Sequence, residues 1–374
     1  MKIAFCIEEA FNSGGMERVL AMIANALCER HEVAVITARQ GKRPDYFQLD
    51  ERITRVDFGI TTKKKHIPLL YNPIKNEYQR RLSDYLCEHK FDIVVSLSSL
   101  EMYFLPRIKD GSKKVVWFHM AHDVFNLWSY AEYKGVVAKV AAAIQTRRRR
   151  RFASRFDKIV VLTKVDLEYW QKYCPQSCCI YNPITITDAT DADLSSKQAI
   201  AVARLDRQKG LDYLIDAWAI VHKRFPEWTL NVWGKGPLKQ ELQNQIDARG
   251  LQDVFLLRGT TKDIGKEYAQ SAFYVMSSRA EGLPLVLIEA SAYGMPLVSY
   301  DCHYGPSDII EDGKNGFLIP SVGDVNALAD AICQMIENEA QRKEMGRNAK
   351  EMSKRFELQE IIKQWETLFK ELLN

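Results

Sequence analysis

Short apolar runs alternate with stretches of helical period along almost the whole chain. In the first half, runs at residues 3–7, 32–37, 53–58, 93–97, 115–118 and 159–162 read as buried strands, and residues 16–30 and 75–88 carry the spacing of amphipathic helices between them. A polar stretch at 185–197, poor in large apolar side chains, follows Tyr181-Asn-Pro183 and reads as a hinge. A second alternation then begins, with strands at 199–203, 229–233, 254–257, 273–276 and 297–300 and helices at 211–224, 238–249 and 325–337. The last segment, 358–373, places Ile361, Ile362, Trp365, Leu368 and Phe369 on one helical stripe. Strands that alternate with helices in this way predict an α/β fold of two doubly wound, Rossmann-like parallel sheets.

Length agrees with two domains, because 374 residues exceed the size at which one core keeps growing. The first residues, Met1-Lys2-Ile3-Ala4-Phe5-Cys6-Ile7, read as a strand rather than a signal peptide, and no apolar run reaches the length of a membrane span. The expectation is a cytoplasmic protein. Eight cysteines lie scattered at 6, 28, 87, 174, 178, 179, 302 and 333, which suits reduced thiols; the cluster at 174–179 lacks a second Cys or His pair at zinc-ligand spacing. Net charge is only +4, but its placement is uneven. Arg147, Arg148, Arg149, Arg150 and Arg151 follow one another in a helical stretch that also carries Val136, Val137, Val140 and Ile144. That combination suits anionic lipid headgroups or the pyrophosphate of a lipid-linked molecule, against the plainer reading of a solvated helix face. No recognition motif or aromatic platform for nucleic acid accompanies it.

The richest chemistry lies at 277–296. The strand at 273–276 ends in Ser277-Ser278, Glu281-Gly282 makes a turn, Pro284 suits the first helical position, and Gly294 and Pro296 stop the helix. The start of such a helix presents unpaired N–H groups and a partial positive charge, a natural seat for phosphate. Glu289 lies about five residues further in, roughly 7–8 Å along the axis, which is near the offset between a diphosphate and its ribose. Glu281 stands at the loop, beside whatever lies on the far side of the phosphates. Two flanking, solvated glutamates are the plainer alternative. Elsewhere, Ser13-Gly14-Gly15 follows the first strand and opens a helix, Arg204-Leu-Asp-Arg-Gln-Lys209-Gly210 follows the strand at 199–203, and His119 and His122, with Asp123, follow the strand at 115–118. Three further patterns are weak. Asp191-Ala-Asp193 follows no strand, Gly259 to Lys266 misses P-loop spacing and its Ser/Thr, and Gly234-Lys-Gly236-Pro237 reads as a turn.

Taken together, the two glutamates, the Gly-Gly loop, the histidine and the Arg/Lys pair resemble the retaining glycosyltransferases of family 4, with their E-x7-E signature and GT-B fold. The resemblance implies two Rossmann-like domains facing across a cleft, 1–183 on the acceptor side, completed by a terminal helix at 356–374, and 184–355 holding the donor. It implies Glu281 and His119 as catalytic residues. Gly14, Gly15, Arg204, Lys209, Gly282, Leu283, Leu285 and Glu289 would bind a nucleotide-diphosphate sugar, with Glu289 on the ribose and Arg204 and Lys209 on the diphosphate. Apart from the resemblance, His122 with Asp123 would serve a glycan or lipid-linked acceptor or cap the next helix, and the arginine run would serve such an acceptor or peripheral contact with the membrane. No metal or other cofactor is expected. A nucleotide-sugar epimerase of the same fold, or a non-catalytic nucleotide-sugar-binding protein, are the alternatives.

Overall fold

The computed structural model describes residues 1–61, 73–122, 135–186 and 188–374. The chain divides into two compact units, Met1–Pro183 with Leu358–Asn374, and Ile184–Glu357.

In unit 1 the described strands are β1 (Lys2–Ile7), β2 (Glu32–Thr37), β3 (Thr54–Asp57), β4 (Ile93–Ser96), β5 (Lys113–Trp117), β6 (Lys158–Val161) and β7 (Ser177–Cys179). They form one sheet in the order β3-β2-β1-β4-β5-β6-β7, with every pairing parallel. Helices α1 (Gly15–Leu27), α2 (Pro73–His89), α3 (Gly135–Ala153) and α4 (Lys164–Gln171) belong to the same unit. Strand β1 reads as an unbroken apolar run because helices cover both faces of a parallel sheet, and Ile3, Ala4, Phe5 and Cys6 are fully buried. The cysteine cluster at 174–179 contributes β7, an edge strand of three residues.

Unit 2 contains β8 (Gln198–Val202), β9 (Thr229–Trp233), β10 (Phe255–Gly259), β11 (Phe273–Met276), β12 (Leu297–Tyr300) and β13 (Gly316–Ile319), in the parallel order β10-β9-β8-β11-β12-β13. Its helices are α5 (Leu211–Arg224), α6 (Lys239–Ala248), α7 (Ile264–Ala269), α8 (Leu285–Ala292), α9 (Pro306–Ile309), α10 (Val325–Glu337) and α11 (Glu339–Ser353). Helix α5 buries Leu214, Ile215, Trp218 and Val221 in a core shared with Leu328 and Ile332 of α10. Both sheets change direction next to their first strand, so β1/β4 and β8/β11 are the switch points at whose carboxyl ends α/β folds bind ligands.

The final helix, α12 (Leu358–Leu373), packs in unit 1: Trp365 is fully buried and meets the Trp117 ring edge-on at 4.9 Å. The segment 185–197 is not the hinge its composition suggests. It lies within unit 2, where the Ala192 N–H donates to the Tyr293 carbonyl at 2.9 Å and the Asp193 N–H to the Ala269 carbonyl at 2.8 Å. The Leu194 N–H adds a bond to the Ala192 carbonyl and the Ser196 N–H one to the Asp193 carbonyl, each at 3.0 Å, so this part of the polar stretch satisfies backbone groups within the unit.

Candidate functional site

The switch point of unit 2 is opened by a tyrosine. Ladder pairing between β8 and β11 covers Ala199↔Phe273 and Ile200↔Tyr274. Beyond it the buried Tyr274 hydroxyl both donates to the Val202 carbonyl and accepts from its N–H, each at 3.1 Å. The crevice at that end is lined by Ala203, Lys209, Met276, Ser277, Ser278 and Val286.

Two loops meet over it. The first, after β8, holds a 3₁₀ turn at Arg207–Lys209, capped by Asp206, whose carboxylate accepts the Lys209 N–H at 3.3 Å. Gly210 has φ +61°, and a Cβ there would lie 2.1 Å from the Ser277 carbonyl oxygen, so no side chain fits where the loops cross. The second loop, after β11, is stitched onto the first. Ser277 Oγ donates to the Lys209 carbonyl at 3.1 Å, the Arg279 N–H to the Gln208 carbonyl at 2.7 Å, and Gln208 Nε2 to the Ala280 carbonyl at 2.8 Å. Arg279 adds a bidentate pair with Asp212 at 2.8 and 2.5 Å. Held this way, Lys209 Nζ sits 2.7 Å from Glu281 Oε1, with side chains only 18% and 8% exposed.

Arg204 is not part of that pair. Its guanidinium grips Asp206 at 2.9 Å and the side chain is 69% exposed. Pro284 is the N-cap residue of α8 (φ −74°, ψ 100°) rather than its first helical residue, one position earlier than the sequence suggests, so Leu285 begins the helix. At the other end Gly294 (φ +70°) and the Met295 N–H, which donates to the Ala290 carbonyl at 3.2 Å, close α8 in a Schellman-type turn. Leu283 is buried, Gly282 and Leu285 partly so. Glu289 is 5% exposed; it accepts hydrogen bonds from the Tyr268 hydroxyl at 3.1 Å and from the Thr185 hydroxyl.

Sequence reasoning missed Thr185, Tyr268, the Asp212–Arg279 pair and the loop after β12. There Gly305 (φ +93°) backs so closely on Gly282 that a Cβ would stand 2.0 Å from the Gly282 carbonyl oxygen. The loop's position after a strand beside β11 was the available signal; Thr185, far from Glu289 in sequence, gave none.

In unit 1, Gly14 is the N-cap of α1 and Gly15 its exposed first residue. A Cβ on Gly14 would lie 2.2 Å from Glu17 Oε2, because the glutamate of the first turn folds back over the helix start. His119 follows β5 with its ring 4.2 Å from that of Trp117. Its Nε2 is buried without a hydrogen-bond partner among the described residues, and burial lowers its pKa to about 3, so the imidazole is neutral near pH 7. His122 is oriented by a carboxylate: its N–H and Nδ1 meet Asp166 Oδ1 at 2.9 and 2.8 Å, and its ring stacks on Tyr169 at 3.6 Å. Asp123 lies outside the described residues.

The arginine run is not one surface. At 3.6 residues per turn, five consecutive side chains point all round a helix. Arg149 shares a face with the buried Ala138, Ala142 and Ala153; it is itself buried, donates to the Ala121 and Met120 carbonyls at 2.9 and 3.2 Å, and lies 4.1 Å from the Phe118 ring. It is a structural arginine and leaves the surface group, while Arg150 packs over the Tyr173 ring at 4.1 Å. Arg147, Arg148 and Arg151 remain exposed and, with Arg107, Ile144 and Phe152, line a groove of about 450 Å³.

The comparisons with known proteins agree with this architecture. The model of the glycosyl transferases group 1 matches residues 185–352, and that of Glycosyltransferase Family 4 matches residues 13–188. The chain belongs to the family-4 glycosyltransferases. An uncharacterized glycosyltransferase of Haemophilus influenzae is 29% identical over 97% of this chain and 98% of its own length. A Campylobacter jejuni α-1,4-N-acetyl-D-galactosaminyltransferase that acts on a diNAcBac-PP-undecaprenol-linked glycan is 27% identical over 100% of this chain and 99% of its own. Among solved structures, S. aureus TarM in complex with fondaparinux, α-GlcNAc-glycerol and UDP superposes with a TM-score of 0.77, covering 99% of this glycosyltransferase and 100% of that chain at 18% identity, a likeness of GT-B fold alone. Among the described residues no helix is long and apolar enough to cross a membrane.

Glu101, fully buried beyond β4, accepts from Ser96 Oγ at 2.7 Å and the Ser99 N–H at 3.1 Å, and burial pushes its pKa from 4.5 up to about 7. The native state therefore holds a proton that the unfolded chain releases between pH 4.5 and 7, so this group's favourable contribution is full below pH 4.5 and is lost as pH rises through 7. Glu101→Gln should gain stability relative to the parent by on the order of 3 kcal/mol between pH 4.5 and 8. Denaturant titrations across that range check it; a pH-independent difference would contradict it.

Proposed function

We propose that this glycosyltransferase takes a nucleotide-diphosphate sugar at the switch point of unit 2 and passes the sugar, with retention and without a catalytic metal, to a glycan or lipid-linked acceptor of the cell envelope. The observation that carries the reading is the shielded Lys209–Glu281 pair beside the start of α8. Taking two charges out of water costs about as much as their attraction returns, so such a pair is a poor device for stability alone. As a poised site it makes sense. An arriving diphosphate offers Lys209 a stronger anion, and sugar hydroxyls can replace the ammonium on Glu281.

In this reading the first-turn amides near Leu285, with those of Gly282 and Leu283, face the phosphates, which helix starts favour. Arg204, exposed and paired with Asp206, swings onto the diphosphate beside Lys209. The two cations then offset the charge that builds on the leaving diphosphate as the glycosidic bond breaks, the role a metal would otherwise fill. Glu281 orients the sugar and steadies positive charge on its ring, and Glu289 binds the ribose. Gly14 and Gly15 allow close backbone approach to the donor, and His119 offers a neutral imidazole to the sugar. Retention rests on the family likeness. The lipid-linked acceptor is suggested by the Campylobacter relative and by the exposed face of α3, where Val136, Val140 and Ile144 continue into Arg147 and Arg151. His122, oriented by Asp166, serves the acceptor.

A panel of nucleotide sugars screened by thermal shift identifies the donor. Glu281→Ala should then transfer or hydrolyse it about 10²–10³-fold more slowly than the parent; equal rates would refute the catalytic role, and release of isomerised donor would turn the reading to an epimerase. Replacing Arg147, Arg148 and Arg151 by Ser, with Arg149 left intact, should abolish sedimentation with anionic vesicles. Unchanged sedimentation would remove the membrane contact.

A further inference from the structure

Glu289 is held by two hydroxyls. Its Oε1 accepts from Thr185 and its Oε2 from Tyr268, the latter at 3.1 Å, so a donor is aimed at each carboxylate oxygen. Both donors are themselves immobilised. Tyr268 is fully buried on α7, its ring 5.4 Å from that of Tyr293 and 6.2 Å from that of Tyr274. Thr185 is 7% exposed and stands one residue after Ile184, whose N–H is tied to the Phe356 carbonyl at 2.8 Å. A carboxylate gripped through both oxygens has its plane fixed, and one that accepts from two hydroxyls is kept as an acceptor rather than a donor.

Resting on the nucleotide reading given above, we propose that Thr185 and Tyr268 are positioning residues that set the plane and acceptor state of Glu289 and thereby make the site select ribonucleotides over deoxyribonucleotides. A ribose presents two adjacent hydroxyl donors, which is the complement of an oriented carboxylate; a deoxyribose lacks one of them and leaves an acceptor in a dry site without that partner. Neither residue touches the ribose in this scheme. Their effect passes through Glu289, and it differs from that of a residue which merely holds the fold, because it should change the ratio of affinities rather than their level.

The test uses the full chain and isothermal titration. The common ribonucleoside diphosphates are titrated first, and the tightest is compared with its 2′-deoxy and 3′-deoxy counterparts. The parent should prefer the ribonucleotide by about ten- to a hundredfold, the worth of a hydrogen bond to a charged acceptor. Thr185→Val and Tyr268→Phe, which keep the shape of each side chain, should shrink that ratio at least several-fold, while Thr185→Ser, which keeps the hydroxyl, should retain it. Melting curves on each variant confirm folding, and the affinity ratio within one variant is independent of how much of it is active. A ratio that stays at the parent value in both hydroxyl-less variants overturns the proposal, even if all affinities fall together. A parent that binds a diphosphate with no preference for ribose overturns it as well and leaves the diphosphate site standing. A parent that binds none of the diphosphates overturns the nucleotide reading itself.

Discussion

Everything proposed for unit 2 depends on one constraint: two loops from neighbouring strands are sewn together tightly enough to keep a lysine and a glutamate in contact, nearly out of water. The seam is made of a backbone bond at Arg279, a side-chain amide bond at Gln208 and a hydroxyl bond at Ser277, and it closes because Gly210 has no side chain where the loops cross. The Tyr274 hydroxyl, bonded to both backbone groups of Val202, occupies the gap between β8 and β11 that the loops cover. Charge in this site is thus placed by the geometry of the switch point. A helix start, an ammonium and two carboxylates fall at the carboxyl edge of one sheet, where doubly wound folds gather ligands.

Unit 1 supplies a different environment. His119 is kept neutral by burial against Trp117, and Trp117 is in turn covered edge-on by Trp365 of the terminal helix. The last helix of the chain therefore backs the ring that buries this imidazole. Arg149 plays a comparable supporting part, tying the Met120 and Ala121 carbonyls that separate His119 from His122. Its burial shows how a run of like residues divides its labour once wound into a helix.

Much of the fold was legible because fully buried parallel strands are nearly continuous apolar runs. The strands at 229–233, 273–276 and 297–300 and the helices at 211–224, 325–337 and 358–373 fall on the residues their patterns indicate. Two edge strands, β3 and β10, fall in the runs at 53–58 and 254–257, but the other two were not legible: β7 is three residues of Ser and Cys, and β13 opens on a glycine. Helix α11 is so rich in charge that its apolar period is faint. At the site, glycines, prolines and charged residues marked the loops, since turns demand special residues. The partners did not announce themselves. Thr185 reaches Glu289 across 104 positions, and Arg204, which resembles Lys209 in sequence context, ends 69% exposed on Asp206.

The most direct measurement is a crystal structure of the chain with the nucleoside diphosphate it binds most tightly. The account predicts the diphosphate at the start of α8, Lys209 Nζ drawn from Glu281 onto a phosphate oxygen, and the ribose hydroxyls on Glu289. A diphosphate bound elsewhere, with the Lys209–Glu281 pair undisturbed, would contradict it.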